Sequence, residues 1–429
     1  MTFLVNEFKP QTQIIAKTWR GETYDITGSL FSWSRTKSLT QAPGTFSIQL
    51  VPRENSKGQT WSDLIQAQDI IEIRASKNGK RINGNLPIIM RGFVDAPAKS
   101  TQFGQSGGPT EPRITITGRD YTKLFLEWQI LYLFTQNTLK KGGNLADIAA
   151  QAAGFGLFAN YRLPIFGASL NAYMATAFDH IINPVQEGLR KHPYHEFPEL
   201  VPRFTFPDYK VNSFNVASYT GSYWNLFQYI SSPPFGELFI IDEEESPVLI
   251  GRATAYQDIS GNTPSPGTHL ESTGDILTVQ SDDTDTTDAD LSTYFLTWAA
   301  DAQIIGPGTI PVVLPGLHNG VLTTKSALYG IKPLMIDTPW LSMTDNNIVQ
   351  AASDLNLWLL ETMGDNERWH QGTIVCHGDE NYVIGTYRRE PVSNRQYYIS
   401  AIQDNYNYEG NRWDASLTVV RGRDLGAIA

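Results

Sequence analysis

The stretch Ile114-Thr-Ile-Thr-Gly-Arg-Asp-Tyr-Thr-Lys-Leu-Phe125 constrains the fold more than any other. Ile114 and Ile116 alternate with threonines, which reads as a strand ending at Gly118. The charged pair Arg119-Asp120 follows, and the aromatic-apolar run from Tyr121 reads as a short helix. Strand, glycine, charged pair and helix make a corner that closes a small β-barrel. The corner is not a phosphate loop, because it has one glycine and no Gly-Lys-Ser/Thr after it. It points away from a nucleotide enzyme and toward a barrel-built structural protein.

Residues 11–125 carry further strand signals. Gln13–Ala16, Tyr24–Ile26, Leu30–Arg35, Gly44–Arg53, Asp69–Arg74 and Pro87–Asp95 are short and bounded by turn residues, among them Gln41-Ala-Pro-Gly44. Phe46, Ile48 and Leu50 alternate with Ser47 and Gln49, as on a half-buried strand. Trp61 to Gln66 reads as one helical turn, with Asp63 near its start. Gln102–Pro112, rich in Gly, Gln and Pro, reads as an exposed loop. About six short strands with regular turns indicate a closed antiparallel barrel, which removes exposed strand edges.

The next region differs. Residues 126–215 read as a helical or irregular domain, with helices over Asn144–Ala153, Asn171–His180 and Ile181–Leu189 and frequent prolines. Residues 216–330 read as an α+β middle domain that contributes strands to a second barrel. Ser222–Ile230 is its helix, with Tyr223, Leu226, Phe227 and Ile230 on one side and Pro233-Pro234 as its stop. Phe235–Asp242 and Val248–Tyr256 form a strand pair, and Asp275–Val279 is a further strand before a polar, Asp-rich run. Residues 331–429 read as a second small barrel with one packed helix. That helix turns Ile348, Ala352, Leu355, Leu359 and Met363 inward, and Asp345-Asn-Asn347 stand at its start. Strands follow at Gly372–Val375, Tyr382–Tyr387, Tyr397–Asp404 and Ala415–Arg421, with Tyr408-Glu-Gly-Asn411 as a hairpin turn. The fold expected is therefore β-rich α+β and multidomain: two antiparallel barrels, 1–125 and 331–429, with a helical or mixed domain and a small α+β domain between them.

Composition narrows the function. The 429 residues exceed one ordinary core. Charged residues make up 18% and aromatics 11%, with 19 Tyr and 10 Trp. Few charges and many rings suit buried interfaces, and equally suit a strand-rich protein. A net charge of −11 argues against a groove that grips phosphates. A single cysteine, Cys376, excludes a disulfide framework and a cysteine metal cluster. Neither a signal peptide nor a membrane span is expected.

Candidate chemistry is thin. The run Asp282–Asp290 fails the calcium-loop pattern, because the sixth and twelfth positions counted from Asp283 hold Asp288 and Tyr294 rather than Gly and Glu. It reads as a solvated loop or helix start. His192, His195 and Glu196 have the wrong spacing for a helical zinc motif, with Pro193 between the histidines. Cys376 and His377 adjoin on a strand and so face opposite sides. Glu237, Asp242 and Glu361 are the acids that would serve a glycosidase, a nonspecific signal in an acidic chain. Gly104, Gly107 and Gly108 lie in a loop with no following helix. Arg119-Asp120 and Arg252 read either as subunit contacts or as ion pairs fixing a corner. Tyr223, Trp224 and Phe227 read either as an interface stripe or as core. No catalytic, cofactor or metal residues are expected.

The order of the blocks is similar to that of the late-control-D family of tailed-phage baseplate hubs. Ile116–Phe125 resembles the family's first-barrel corner. Ser222–Phe227, Pro233–Asp242 and Val248–Arg252 resemble its middle region, and Thr273–Leu277 with the Asp run and Tyr294-Phe295 its next segment. Tyr329–Leu334, the helix 347–363, Gly372–Ile374, Tyr397–Ile402 and Thr418–Gly422 resemble its C-terminal part. The resemblance implies tail-tube-like barrels, two per chain, in a homotrimer that matches a sixfold tail tube to a threefold spike. It implies a tail-tube protein, a spike or tail-tip protein and the tape measure protein as partners, and DNA passing through the lumen without specific binding. It places the protein in the virion, at the baseplate, after assembly in the host cytoplasm. A long-tailed phage tip protein would share these barrels. The alternative class is a cell-wall-degrading, carbohydrate-active or lectin-like β protein.

Overall fold

The computed structural model describes residues 8–54, 57–102, 111–127, 129–130, 169–183, 186–187, 198–207, 221–262, 275–276, 279–299, 320–341 and 347–426. The chain is β-rich with a large antiparallel sheet at its centre. An N-terminal group of strands comprises β1 (Gln11–Lys17), β2 (Thr23–Asp25), β3 (Leu30–Ser38), β4 (Thr45–Leu50), β5 (Ile70–Ser76), β6 (Ile88–Gln102) and β7 (Glu111–Asp120). Hydrophobic alternation builds them: Phe46, Ile48 and Leu50 of β4 are buried, while Ser47 and Gln49 are not. Strand β5 is buried along its whole length, so its two charges are paired: Glu72 with Arg74 and with Arg91, and Arg74 also with Glu244.

Between the terminal groups lie smaller sheets. β8 (Gln129–Ile130) pairs with β10 (Gly221–Ser222), and β9 (Val201–Thr205) runs parallel to β12 (Pro247–Ala253), which pairs in turn with β11 (Gly236–Asp242). The C-terminal group holds β13 (Val279–Thr286), and β14 (Tyr294–Ala299), β15 (Val321–Leu322) and β16 (Pro333–Thr338) form a three-stranded sheet beside it. Then come β17 (His370–His377), β18 (Tyr387–Glu390), β19 (Arg395–Asn407) and β20 (Arg412–Asp424). Helices Leu170–Ile181, Tyr223–Ser231 and Ile348–Met363 pack with the small sheets into one core that includes Phe178, Phe227, Trp340 and Trp358. Each terminal strand group has a further core; the N-terminal one takes in Tyr406 and Trp413 from β19 and β20, and the C-terminal one takes in Phe239, Val248 and Ile250 from β11 and β12. Among the described residues no helix is long and apolar enough to cross a membrane.

The two terminal groups are not separate sheets. Strands run in the order β13-β17-β20-β19-β3-β4-β7-β6-β5-β1-β2, with β18 on the flank of β19. The junction is the antiparallel pair β3–β19, formed by residues more than 360 positions apart.

Several boundaries move from their expected places. β7 continues through Gly118 to Asp120. Gly118 sits inside the ladder because a Cβ there would lie 2.2 Å from Phe46 Cζ and 2.3 Å from the Phe93 carbonyl oxygen. The acidic run is only partly a loop: residues to Thr286 belong to β13, a strand that starts where the expected one ends, and 287–290 form the turn after it. Residues 382–386 form no strand, and the strand begins at Tyr387. Strand β9 lies in the region read as helical, its alternation masked by Pro202. The helix expected at Asn144–Ala153 lies outside the described residues, while that at Asn171–His180 is present.

Candidate functional site

Strand β3 is where the terminal groups meet, and its two sides have different jobs. Trp33, Arg35 and Lys37 point inward and are buried, whereas Ser34 and Thr36 point outward. On the inner side Trp33 stacks on Tyr406 of β19, with ring centroids 5.6 Å apart, and meets Trp413 of β20 edge-on at 6.0 Å. Arg35 Nε donates to Asp404 Oδ2 at 2.5 Å, and Trp413 Nε1 donates to the other carboxylate oxygen at 2.9 Å. A second guanidinium nitrogen of Arg35 donates to the Ile89 carbonyl. A buried charge is tolerated when paired and hydrogen-bonded in this way. Lys37 reaches Asp242 and the Ile240 carbonyl, so β11 is tied to the same seam.

The outer side is open and short-chained. Ser34, Ser47, Gln49, Asn405 and Asn407 line a shallow depression of about 310 Å³ over the seam. Its charged members, Arg412 and Asp414, neutralise each other at 2.5 Å. Hydroxyls and amides with balanced charges give a wettable wall that holds no fixed ligand geometry.

The strand groups also repeat one another. In the N-terminal group the order is β3-β4-β7-β6-β5, and in the C-terminal group it is β13-β17-β20-β19-β18, every pair antiparallel. Two bulges recur at corresponding places. The ladder β3–β4 slips between Leu30 and Ser32, and β13–β17 slips between Val279 and Ser281. The ladder β6–β7 slips between Val94 and Ala96, and β19–β20 slips between Ile399 and Ala401. A bulge is a placed feature of a strand pair rather than noise. Side-chain character agrees as well. Ile48 and Ile116 face one another and are buried, as are Ile374 and Leu417; Ser47 and Thr117 face one another on the open side, as do Thr373 and Thr418.

Most residues singled out in the sequence are structural. Arg119 and Asp120 do not pair with each other, because strand neighbours face opposite sides. Arg119 holds Asp95 and Glu127 at 2.8 and 2.7 Å, while the buried Asp120 accepts the Thr122 amide at 3.0 Å. Burial raises the Asp120 carboxyl above its ordinary value, against the opposing effects of Lys37 and Thr122. Arg252 donates to Glu237 at 2.6 Å, and Tyr398 donates to the other oxygen of Glu237 at 2.6 Å. Glu237 and Asp242 are thus held in ion pairs, and Glu361 is exposed on its helix, so these acids do not flank a cleft. Cys376 and His377 do face apart: the thiol is buried near the Tyr382 hydroxyl, and the imidazole stacks on Phe8 at 4.2 Å. Tyr223, Trp224, Leu226 and Phe227 are all buried, which assigns them to the core. His192, His195, Glu196, Gly104, Gly107 and Gly108 lie outside the described residues. The seam residues Arg35, Lys37 and Asp404 had no sequence signal beyond a charge at an inward position of a strand.

No protein-family model matches the sequence, and no curated protein matches it. Solved structures do. The chain is similar to the 43 kDa tail protein of prophage MuSo2 from Shewanella oneidensis, with a TM-score of 0.51 and 14% identity over 95% of this chain and 98% of that one. A tail protein from Neisseria meningitidis MC58 gives a TM-score of 0.49 and 8% identity, covering 95% and 96%. The prophage tail protein gp18 from Listeria monocytogenes EGD-e gives 0.44 and 10%, covering 95% and 94%. The first of these assigns the fold: this chain shares the fold of that prophage tail protein.

Proposed function

We propose that this chain is the structural hub of a phage-tail baseplate, a homotrimer in which each copy supplies two tube-like barrels. The observation that carries the proposal is the repeated strand order, with its shared bulges, joined edge to edge through β3 and β19. A sixfold tube and a threefold spike cannot share equivalent contacts unless an adaptor presents the same module twice per subunit. Three copies of a doubled module meet that requirement.

In this reading residues 1–125 and 331–429, the latter with strands from 216–330, form the two tube-like barrels. Residues 126–215 form the inserted helical or irregular domain, which also supplies strands β8 and β9 to the small sheets. The open polar face of the sheet lines the lumen. Its hydroxyls and amides offer a passing DNA no cluster of cations, and the net charge of −11 opposes adhesion. The partners are the tail-tube protein on one side, the spike or tail-tip protein on the other, and the tape measure protein within. The role is non-enzymatic, and its place is the virion tail.

Negative-stain imaging of assembled particles carrying a gold-labelled form of this chain tests the assignment. Gold at the distal end of the tube, beside the spike, supports it. Gold along the tube or absent from particles, together with clearing of bacterial cell walls by the purified chain, overturns it in favour of a carbohydrate-active protein.

A further inference from the structure

Among the described residues the repeat leaves two strand edges unmatched, and they correspond to the two edges that meet inside the chain. Strand β19 uses its first half to pair with β18 and its second half, Ala401–Asn407, to pair with β3. Its counterpart β6 uses its first half to pair with β5, but among the described residues its second half has a partner on one side only, β7. The counterpart of β3 is β13, whose described partner is β17 alone. A free edge of this length is normally covered, because exposed backbone donors and acceptors recruit other strands.

We infer that β13 of one copy pairs antiparallel with the second half of β6 in the next copy, reproducing between chains the β3–β19 junction found within the chain. The shared bulges set the register. Ala96 corresponds to Ala401 and Ser281 to Ser32, so that Asn405 facing Ser34 translates into Ser100 facing Asp283. Ala98 then faces Asp285, Thr101 faces Asp282 and Gln102 faces Ser281. The occupant of each edge is a second copy of this chain, because the strand already seated on the corresponding edge is this chain's own. The acids of β13 keep it from pairing with itself: two copies of this edge would set aspartates against each other. On β6 the facing segment carries Lys99 and no acid, and Pro97, which has no N–H, leaves one rung of the ladder without its donor. The contact is head-to-tail, and such a contact closes into a ring when the rotation per copy divides a full turn.

The inference rests on the ring reading above, and one experiment separates the two. The full chain carrying Ser100→Cys and Asp283→Cys is oxidised with copper phenanthroline and run on a non-reducing denaturing gel. A second double variant, Thr23→Cys with Asp283→Cys, tests instead whether β13 meets the far end of the sheet at β2. Native mass spectrometry reports the state of both before oxidation. The seam predicts covalent dimers and trimers, with no larger species, for the first variant and none for the second. Trimers in solution that fail to cross-link, or that cross-link through Thr23→Cys, overturn the seam and leave the ring standing. A chain that stays monomeric at every concentration overturns the ring, and the seam with it.

Discussion

Arg35 and Asp404 meet across the only strand pairing that joins the two strand groups among the described residues, with Nε 2.5 Å from Oδ2 and both side chains buried. Their positions in the sequence are far apart, so this contact reports that both groups are folded and docked. Replacing Asp404 by Ala leaves a buried guanidinium without its partner. The expected cost is about 3–5 kcal/mol of stability. Arg35→Met with Asp404→Leu, which removes both charges, should cost much less. Urea unfolding of the three proteins checks this, and equal losses in single and double variants would contradict it.

Glu72 supplies a pH test. Burial works against its charge, but Arg91, Lys17 and Arg74 prevail and hold the carboxyl below its ordinary value. A folded-state pKa below the unfolded one contributes stability above the unfolded pKa, and that contribution is lost as pH falls through the folded one. Glu72→Gln is therefore expected to be less stable than the native chain near neutrality, with a gap that narrows as pH falls below about 4. Asp120 and Glu237, raised by burial, carry the opposite sign and occur in both proteins, so they cancel in the comparison. Unfolding midpoints across an acid series measure the gap, and a constant gap would refute the assignment.

Gly118 tests the packing of the β7 corner. An alanine methyl would collide with the Phe46 ring and with backbone at Phe93, and the backbone cannot rotate aside. Gly118→Ala is expected to cost at least about 1–3 kcal/mol, the range for overpacking. Thermal unfolding checks it; an unchanged midpoint would mean that the strands do not approach so closely.

Cys376 tests the core of the C-terminal group. Burial pushes its thiol up to about 12. The native protein should resist an aromatic disulfide reagent at neutral pH and titrate one thiol on unfolding in guanidinium. Rapid reaction of the native chain would place Cys376 at the surface.

Much of this was legible in the sequence, and the misses have physical causes. Phe46, Ile48 and Leu50 alternate because one face of β4 is buried, and the helix Ile348–Met363 shows its inward stripe for the same reason. Cys376 and His377 were separable by strand geometry alone. Gly118 misled because a glycine forced by a neighbouring ring looks the same in a sequence as one that ends a strand. The aspartates of β13 misled because an edge strand, solvated on its open side, needs no apolar alternation. The repeat itself was visible only as a likeness of layout: equivalent positions such as Leu50 and Cys376, or Thr115 and Ser416, conserve burial and polarity rather than identity. Bulge positions leave no mark in the residue string, so the correspondence emerges only from paired strands.

Cryo-electron microscopy of the purified oligomer, viewed down its axis, tests the central claim most directly. A doubled module in a threefold assembly predicts a closed ring of three chains showing six near-equal lobes around an open lumen. A monomer, a twofold dimer, or a ring with only three lobes would contradict it.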